Sequence, residues 1–335
     1  MARPKDKDEY RAQLAEEFCN VLEERGLEWK KEWTGTGGSA PHNGVTKACY
    51  RGINAFWLSL VAMRKGYSDP RWVTMVQIMD QGKKYHPKEN WHLKKGSKAT
   101  YVEYWYPYDV KNRQGLTWEQ YHKELEEGRK DSEFKLSTRY TAVFNAQEVE
   151  GMPEYQRPKG LEMTKGQLVQ TLSQNMGVEI FTDGGDRAYY TPSRDEIHLP
   201  TPESFFSEYA FHSTALHELA HATGHPTRLN RNQGGGFGSA AYAYEELVAE
   251  MTSCFIGVNL EVEASPQHVE NHKAYVQGWV QSIRDKPETL VRAVKDAQAA
   301  TNYMDWKAGL ITDKEYQKAV GSVLEVKEKS RERER

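Results

Sequence analysis

The stretch HELAHATGH, residues 217–225, read together with YEELVAE, residues 244–250, decides what kind of chain this is. His217 and His221 stand four apart, so on a helix both imidazoles share one face and can hold one metal ion, with Glu218 beside them as a candidate base. A zinc ion in a hydrolytic site takes three protein ligands and leaves a fourth position for water. Three candidates compete for the third ligand. A histidine at 227 would complete HExxHxxGxxH, but the residue is Thr227 even though Gly224 matches. His225 follows His221 by four residues, beyond a chain turn expected at Gly224. The third candidate is a carboxylate on the next helix. Residues 240–258, AAYAYEELVAEMTSCFIGV, read as that helix, with Leu247, Met251, Cys254 and Phe255 on one face and Glu246 and Glu250 on an adjoining one.

An Exxx(D/E) pair on the helix after HExxH resembles the glutamate-zincins, the thermolysin-like group. That resemblance implies Glu246 as metal ligand and Glu250 as the carboxylate that orients a ligand histidine. The second role agrees with chemistry, because a ligating imidazole normally gives its other N–H to an oxygen. Glu245 stays open as an alternative third ligand, since spacing does not resolve helix phase by one residue. Zn²⁺ is the expected ion, with another divalent metal such as Mn²⁺ as alternative. In a catalytic site Glu218 takes a proton from the attacking water and passes it to a leaving amine. His225, Tyr189 and Tyr242 are the candidates for steadying a carbonyl oxygen.

Length and composition bound the rest. A chain of 335 residues suits two domains, by the usual ~100–200 residues each. No apolar run reaches the roughly 18 residues that a membrane span needs, and no apolar segment follows the N-terminal charges. The expected setting is the cytoplasm, with no membrane partner. Three cysteines at unrelated spacings (Cys19, Cys49, Cys254) argue against a disulfide framework and against a cysteine zinc knuckle.

The N-terminal half differs in charge from the rest. Between residues 47 and 98 there are 11 Lys+Arg against three acids, interleaved with Tyr50, Trp57, Tyr67, Trp72, Tyr85 and Trp91. Cations that neutralise phosphates, alternating with rings on which unpaired bases stack, are what sequence-tolerant single-strand binding needs. The plainer alternative is a core of aromatics under a solvated lysine surface. Along the chain, residues 5–31 read as an amphipathic helix, 53–63 as an apolar helix, and Thr100 to Tyr106 as a strand. Residues 109–140 read as a charged insertion with one short helix, followed by a strand-like run from Thr141. Met163 to Met176 reads as a helix capped by Thr164, and short strands are expected at 178–181, 188–191 and 196–199. Ser207 to Thr223 is the helix that carries HExxH. The fold class expected is α+β: an N-terminal domain over 1–155, a zincin-like domain over 163–310, and a charged tail over 311–335 that runs from helix into disorder.

Both halves resemble known families. PHNGVTKACYRGIN (41–54), GYSDPRWVTMVQI (66–78) and VFNAQEVEGMP (143–153) look like the N-terminal domain of ArdC-type antirestriction proteins, which is also found in TraC-like plasmid primases. RAYYTPSRDEIHLP (187–200), HELAHATGHPTRLNR (217–231), FGSAAYAYEELVAEM (237–251) and the run NHKAYVQGWVQSIRDKPETLVRAVKDAQAATNYM (271–304) are similar to the zincin-like metallopeptidase domain fused to it. The resemblance implies a protein of a mobile element, plasmid or phage, that binds single-stranded DNA and protects incoming DNA from host restriction. Arg51, Asn54, Trp72, Lys94 and Lys95 are the residues expected to meet DNA. The competing expectation is a cytosolic zinc metalloprotease whose basic half recruits a host protein. A primase accessory domain is a weaker third, because no acidic polymerase triad is visible.

Overall fold

The computed structural model describes residues 3–26, 40–85, 90–156, 163–235, 239–257 and 273–320. The boundary expected near 155–163 falls partly outside the described residues, as do the end of the helix expected over 5–31 and the tail beyond 320.

The chain opens on helix α1 (Lys7–Arg25), started by the Asp6 carboxylate accepting the Asp8 and Glu9 N–H groups and ended at Gly26, whose φ of 55° suits a residue without Cβ. Strand β1 (His42–Asn43) leads to helix α2 (Gly52–Lys65), then β2 (Arg71–Thr74), the short α3 (Met75–Asp80) and β3 (His92–Leu93). Next come β4 (Thr100–Asp109), β5 (Gln114–Gly115), α4 (Trp118–Glu126), β6 (Phe134–Asn145) and β7 (Val149–Glu150). Five strands form one sheet in the order β1-β2-β6-β4-β5, and β3 pairs with β7. The β4 and β6 strands are antiparallel neighbours in unbroken register from Thr100↔Val143 to Asp109↔Phe134. The expected insertion over 109–140 holds the expected short helix, α4, and also the end of β4, the two-residue β5 and the first half of β6. Residues 134–140 are the first half of β6; in FKLSTRY the apolar alternation of Phe134 and Leu136 is broken by Thr138, too short a run to mark a strand by itself.

The second half begins with α5 (Lys165–Met176), held at its start by a reciprocal Thr164–Gln167 cap and at its end by Gly177 in the left-handed region. Strands β8 (Glu179–Phe181), β9 (Tyr189–Thr191) and β10 (Glu196–His198) form a small sheet in the order β8-β10-β9, leaving β9 at an edge. Helices α6 (Glu208–Ala222), α7 (Ala240–Gly257), α8 (Lys273–Asp285) and α9 (Glu288–Lys307) follow, with a further helical run over 313–320. Helices on one side and mostly antiparallel sheets on the other make the fold α+β.

Helix α7 stands between two interiors. Its Leu247, Val248, Met251 and Cys254 are buried with Phe18 and Leu22 of α1, Phe56 and Leu60 of α2, Trp279 and Ile283 of α8, and Val294 of α9. Its Ala249 and Ile256 are buried with Leu168 and Leu172 of α5, Ile197 of β10, and Leu216 and Leu219 of α6. Each large apolar side chain so enclosed contributes roughly 1.5–3 kcal/mol. The first interior therefore joins elements from both halves of the sequence, and Arg11–Glu288 at 2.5 Å and Arg284–Glu23 at 2.5 Å tie α1 to α9 and α8 at its edge.

Candidate metal centre

Helix α6 starts at Ser207, whose hydroxyl accepts the Ala210 N–H, and its apolar face (Ala215, Leu216, Leu219, Ala220) packs inward. That packing turns His217 and His221, one turn apart, toward α7. His217 Nε2 and His221 Nε2 lie 3.1 Å apart. Glu246 of α7 places Oε2 3.6 Å from His217 Nε2 and Oε1 3.5 Å from His221 Nε2. Among the described residues these three form the group of side chains that could hold a metal, with one ligand atom from each lying within 4.8 Å of the others.

The spacing suits an ion. Bonds of about 2 Å to a tetrahedral centre put ligand atoms roughly 3.3 Å apart. Two carboxylates stand behind the imidazoles: Glu245 Oε1 is 3.3 Å from His221 Nδ1, and Glu250 Oε2 is 3.8 Å from His217 Nδ1. Negative charge on that side favours the proton on Nδ1 and leaves both Nε2 lone pairs facing each other and Glu246. Two imidazole nitrogens and a carboxylate oxygen converging on one point are a donor set that fits a divalent metal.

The carboxylates around the histidines give the pocket a potential that favours positive charge. Burial opposes charge on His217, but Glu250 and then Glu246 and Glu218 outweigh it and push its pKa up to about 9. Burial likewise works against the Glu246 carboxylate, yet His217 and His221 bring it down to about 2, with the Tyr242 hydroxyl as a further donor. Glu218, only 6% exposed, is held above the usual carboxylate range by burial, against the pull of both histidines and the Tyr190 backbone N–H that donates to it. A carboxyl raised in this way and set beside a metal pocket is suited to taking up and releasing a proton.

Glu245 has a partner that sequence reading missed. Arg231 donates to it twice, Nη2 to Oε1 at 2.6 Å and Nε to Oε2 at 3.1 Å, and also reaches the Ala220 carbonyl at 2.9 Å and Thr223 Oγ1 at 2.6 Å. Gln233 adds a bond to the His221 carbonyl at 2.6 Å. Arg231 closes the stretch HELAHATGHPTRLNR, but it is one of two arginines in a loop without periodicity, and its partner cannot be read from spacing. The loop after α6 is clamped as well: Arg228 pairs with Asp195, which also accepts from Tyr190 Oη at 2.6 Å, so edge strand β9 is fixed beside Glu218.

His217, His221 and Glu246 open on a cleft of about 880 Å³ lined also by Tyr189, Tyr190, Phe205, Phe206, Tyr242 and Glu218. The structure thus brings His217, Glu218, His221 and Glu246 together, with Glu250 and Glu245 behind the histidines. His225 is turned away, its Nδ1 2.8 Å from Thr227 Oγ1. The residues expected to meet DNA are scattered. Trp72 is 1% exposed inside the sheet and offers no ring face to a base, which corrects the sequence reading. Asn54 is also internal in role: its amide donates to the Glu103 carbonyl at 2.7 Å and accepts the Glu103 N–H at 2.8 Å, pinning α2 to β4. Arg51 is exposed before α2, Lys94 reaches the Gln147 carbonyl at 2.7 Å, and Lys95 is exposed.

Comparison with known proteins covers both halves. Residues 8–144 match the model of the N-terminal domain of anti-restriction factor ArdC, and residues 167–296 match that of a zincin-like metallopeptidase. The DNA primase TraC of Escherichia coli is 33% identical over 307 residues, which are 89% of this chain and 27% of the primase. The chain thus spans about a quarter of that relative's length. The protein y4eC of Sinorhizobium fredii (strain NBRC 101917 / NGR234) is 28% identical over 297 residues, covering 87% of this chain and 90% of its own. Among solved structures, the Mn(II)-bound antirestriction protein ArdC from plasmid R388 superposes with a TM-score of 0.66 at 26% identity, over 90% of this chain and 99% of that one. Its metal-free form gives a TM-score of 0.65 at 25% identity, over 90% and 98% of the two chains. An ArdC N-terminal domain followed by a zincin-like domain that implies a metal, on a backbone similar to ArdC throughout, places this chain in the ArdC-like antirestriction family.

Proposed function

We propose that this protein is an antirestriction factor of a mobile element, which binds single-stranded DNA through its N-terminal half and holds a divalent metal at His217, His221 and Glu246. The observation that carries the metal reading is the convergence of three ligand atoms from α6 and α7, each imidazole backed by a carboxylate. Zinc suits the N, N, O donor set, and the manganese in the plasmid R388 relative keeps Mn²⁺ as the alternative. A metal bound there would polarise a carbonyl and acidify a water. Glu218 holds the proton in transit, and the Tyr190 N–H orients its carboxylate. Tyr189 and Tyr242 line the same cleft and are placed to contact whatever enters it.

The deciding measurement is metal content of the purified protein by mass spectrometry, together with single-strand binding by the same samples. Wild type is expected to carry one divalent ion per chain, Glu246→Ala to lose it, and Glu218→Gln to retain it. Stoichiometric metal in Glu246→Ala would transfer the third-ligand role elsewhere. A second reading, a cytosolic zinc metalloprotease acting on a host protein, is supported by the open cleft beside Glu218. In that case Glu218→Gln abolishes protection of DNA, whereas protection that survives Glu218→Gln assigns it to the DNA-binding half.

A further inference from the structure

The distal part of the β4·β6 pair carries an unusual row of side chains. Because alternate residues share a face, Tyr104, Tyr106 and Tyr108 project on one side together with their cross-strand partners Arg139, Ser137 and Lys135. The guanidinium of Arg139 lies 4.5 Å from the Tyr104 ring centre and 5.8 Å from that of Tyr106, and Lys135 Nζ lies 4.9 Å from the Tyr108 ring. Tyr104 is 40% exposed, and Arg139 and Lys135 are exposed. Tyr106 leans over β5 where Gly115 leaves room: a Cβ there would come within 2.7 Å of its ring.

The opposite face of the same strands is already used. Asp109 is paired with Arg129, Phe134 is packed with Tyr121 and Leu116 under α4, and Glu103 is held by Trp105 Nε1 at 2.8 Å and by Tyr140 Oη at 3.4 Å. Acids are thus confined to the covered face, while the six positions of the open face hold three rings, two cations and a serine. The exposed tip between β4 and β5 adds Lys111 and Arg113. A solvated strand face needs none of this chemistry, and a protein partner would not require the exclusion of carboxylates. A polyanion with flat, unpaired rings requires both.

We propose that this face, Tyr104, Tyr106 and Tyr108 with Arg139 and Lys135, is the surface on which single-stranded nucleic acid lies. Side chains two apart on a strand stand about 7 Å from one another. Three rings in a row therefore seat two or three splayed bases, as sheet-borne aromatics do in other single-strand binders. Arg139 offers both its charge to a phosphate and its plane to a base. The inference rests on the single-strand reading above and relocates it from the basic, aromatic stretch 47–98 to the sheet.

The test is fluorescence anisotropy of a labelled oligo(dT) titrated with the full-length protein over a series of salt concentrations. Tyr104→Ala is expected to weaken binding about tenfold and Tyr104→Phe, which keeps the ring, to bind like wild type. Arg139→Ala with Lys135→Ala is expected to weaken binding and to flatten the log–log salt slope by about 1.4, two phosphate contacts at roughly 0.7 each. If wild type binds in a salt-dependent way and these variants bind equally well with an unchanged slope, the surface is wrongly assigned. If wild type itself does not bind, the single-strand reading fails and this inference with it. Unaltered far-UV circular dichroism and melting of the variants separates lost contacts from lost fold.

Discussion

The charge balance around the two histidines is decided by one cation. Glu245 is 5% exposed, and burial alone would raise its pKa, but His221 and Arg231 hold it below the usual range. Arg231 gives Nε and Nη2 to that carboxylate, so removing it strands a buried charge, a change that typically costs about 3–5 kcal/mol. Arg231→Met is accordingly expected to lower the melting temperature and, by freeing the carboxylate that orients His221, to weaken metal binding about tenfold or more in a calorimetric titration. Arg231→Lys, which keeps charge but not the fork, should fall between the two. Equal metal affinity in all three would show that His221 is oriented without Glu245. Sequence alone identified Glu246 by analogy and left Glu245 beside it as a rival. The one-residue phase that separates them comes from how α7 packs on its two sides, which no local pattern encodes. Arg231 was beyond reach for a similar reason, because its partner lies 14 residues away on another element.

At the scale of elements, legibility followed the kind of signal. The capped helix α5, the HExxH helix and the three short strands were readable within a residue or two, because caps, glycines and apolar periodicity are local. The first half of β6 was not, since Thr138 interrupts the alternation that Phe134 and Leu136 begin, and the pairing with β4 that holds it is not a local signal. Trp72 looked like a base platform by type, and lies instead under α2 with Leu58, Val102 and Val143. Helix α9 holds a further consequence for pH. Asp305 lies in its last turn, where burial pushes the carboxyl up to about 7 from an ordinary value of 3.8. The folded state thus keeps a proton that the unfolded chain releases near pH 4, so the stability tied to that proton is complete below pH 4 and is lost as pH rises to about 7. Asp305→Asn should raise the melting temperature at pH 8 and leave it unchanged at pH 4. A constant difference across that range would contradict the assignment.

For the whole molecule, the first interior is the decisive feature. Phe18, Leu22, Phe56 and Leu60 from the N-terminal half are enclosed by α7, α8 and α9 from the other. A fragment ending at residue 156 would leave those side chains in water, so it is expected to show molten behaviour, with dye binding and no sharp melting, while the full chain melts in one calorimetric transition. Two separate transitions would mean that the halves fold independently. The same placement of α7 has a further effect on assembly. Sliding it by one turn, about 5.4 Å, would bring Glu250 to where Glu246 stands and still offer a carboxylate to the histidines. It would also set Ala249 opposite Arg231 in place of Glu245, leave that guanidinium without its partner, and pull Leu247 and Met251 from their seats. The metal ligands alone cannot tell the two alignments apart. The buried arginine can, so it serves as the proofreader of helix register at a site where the ion would accept either answer.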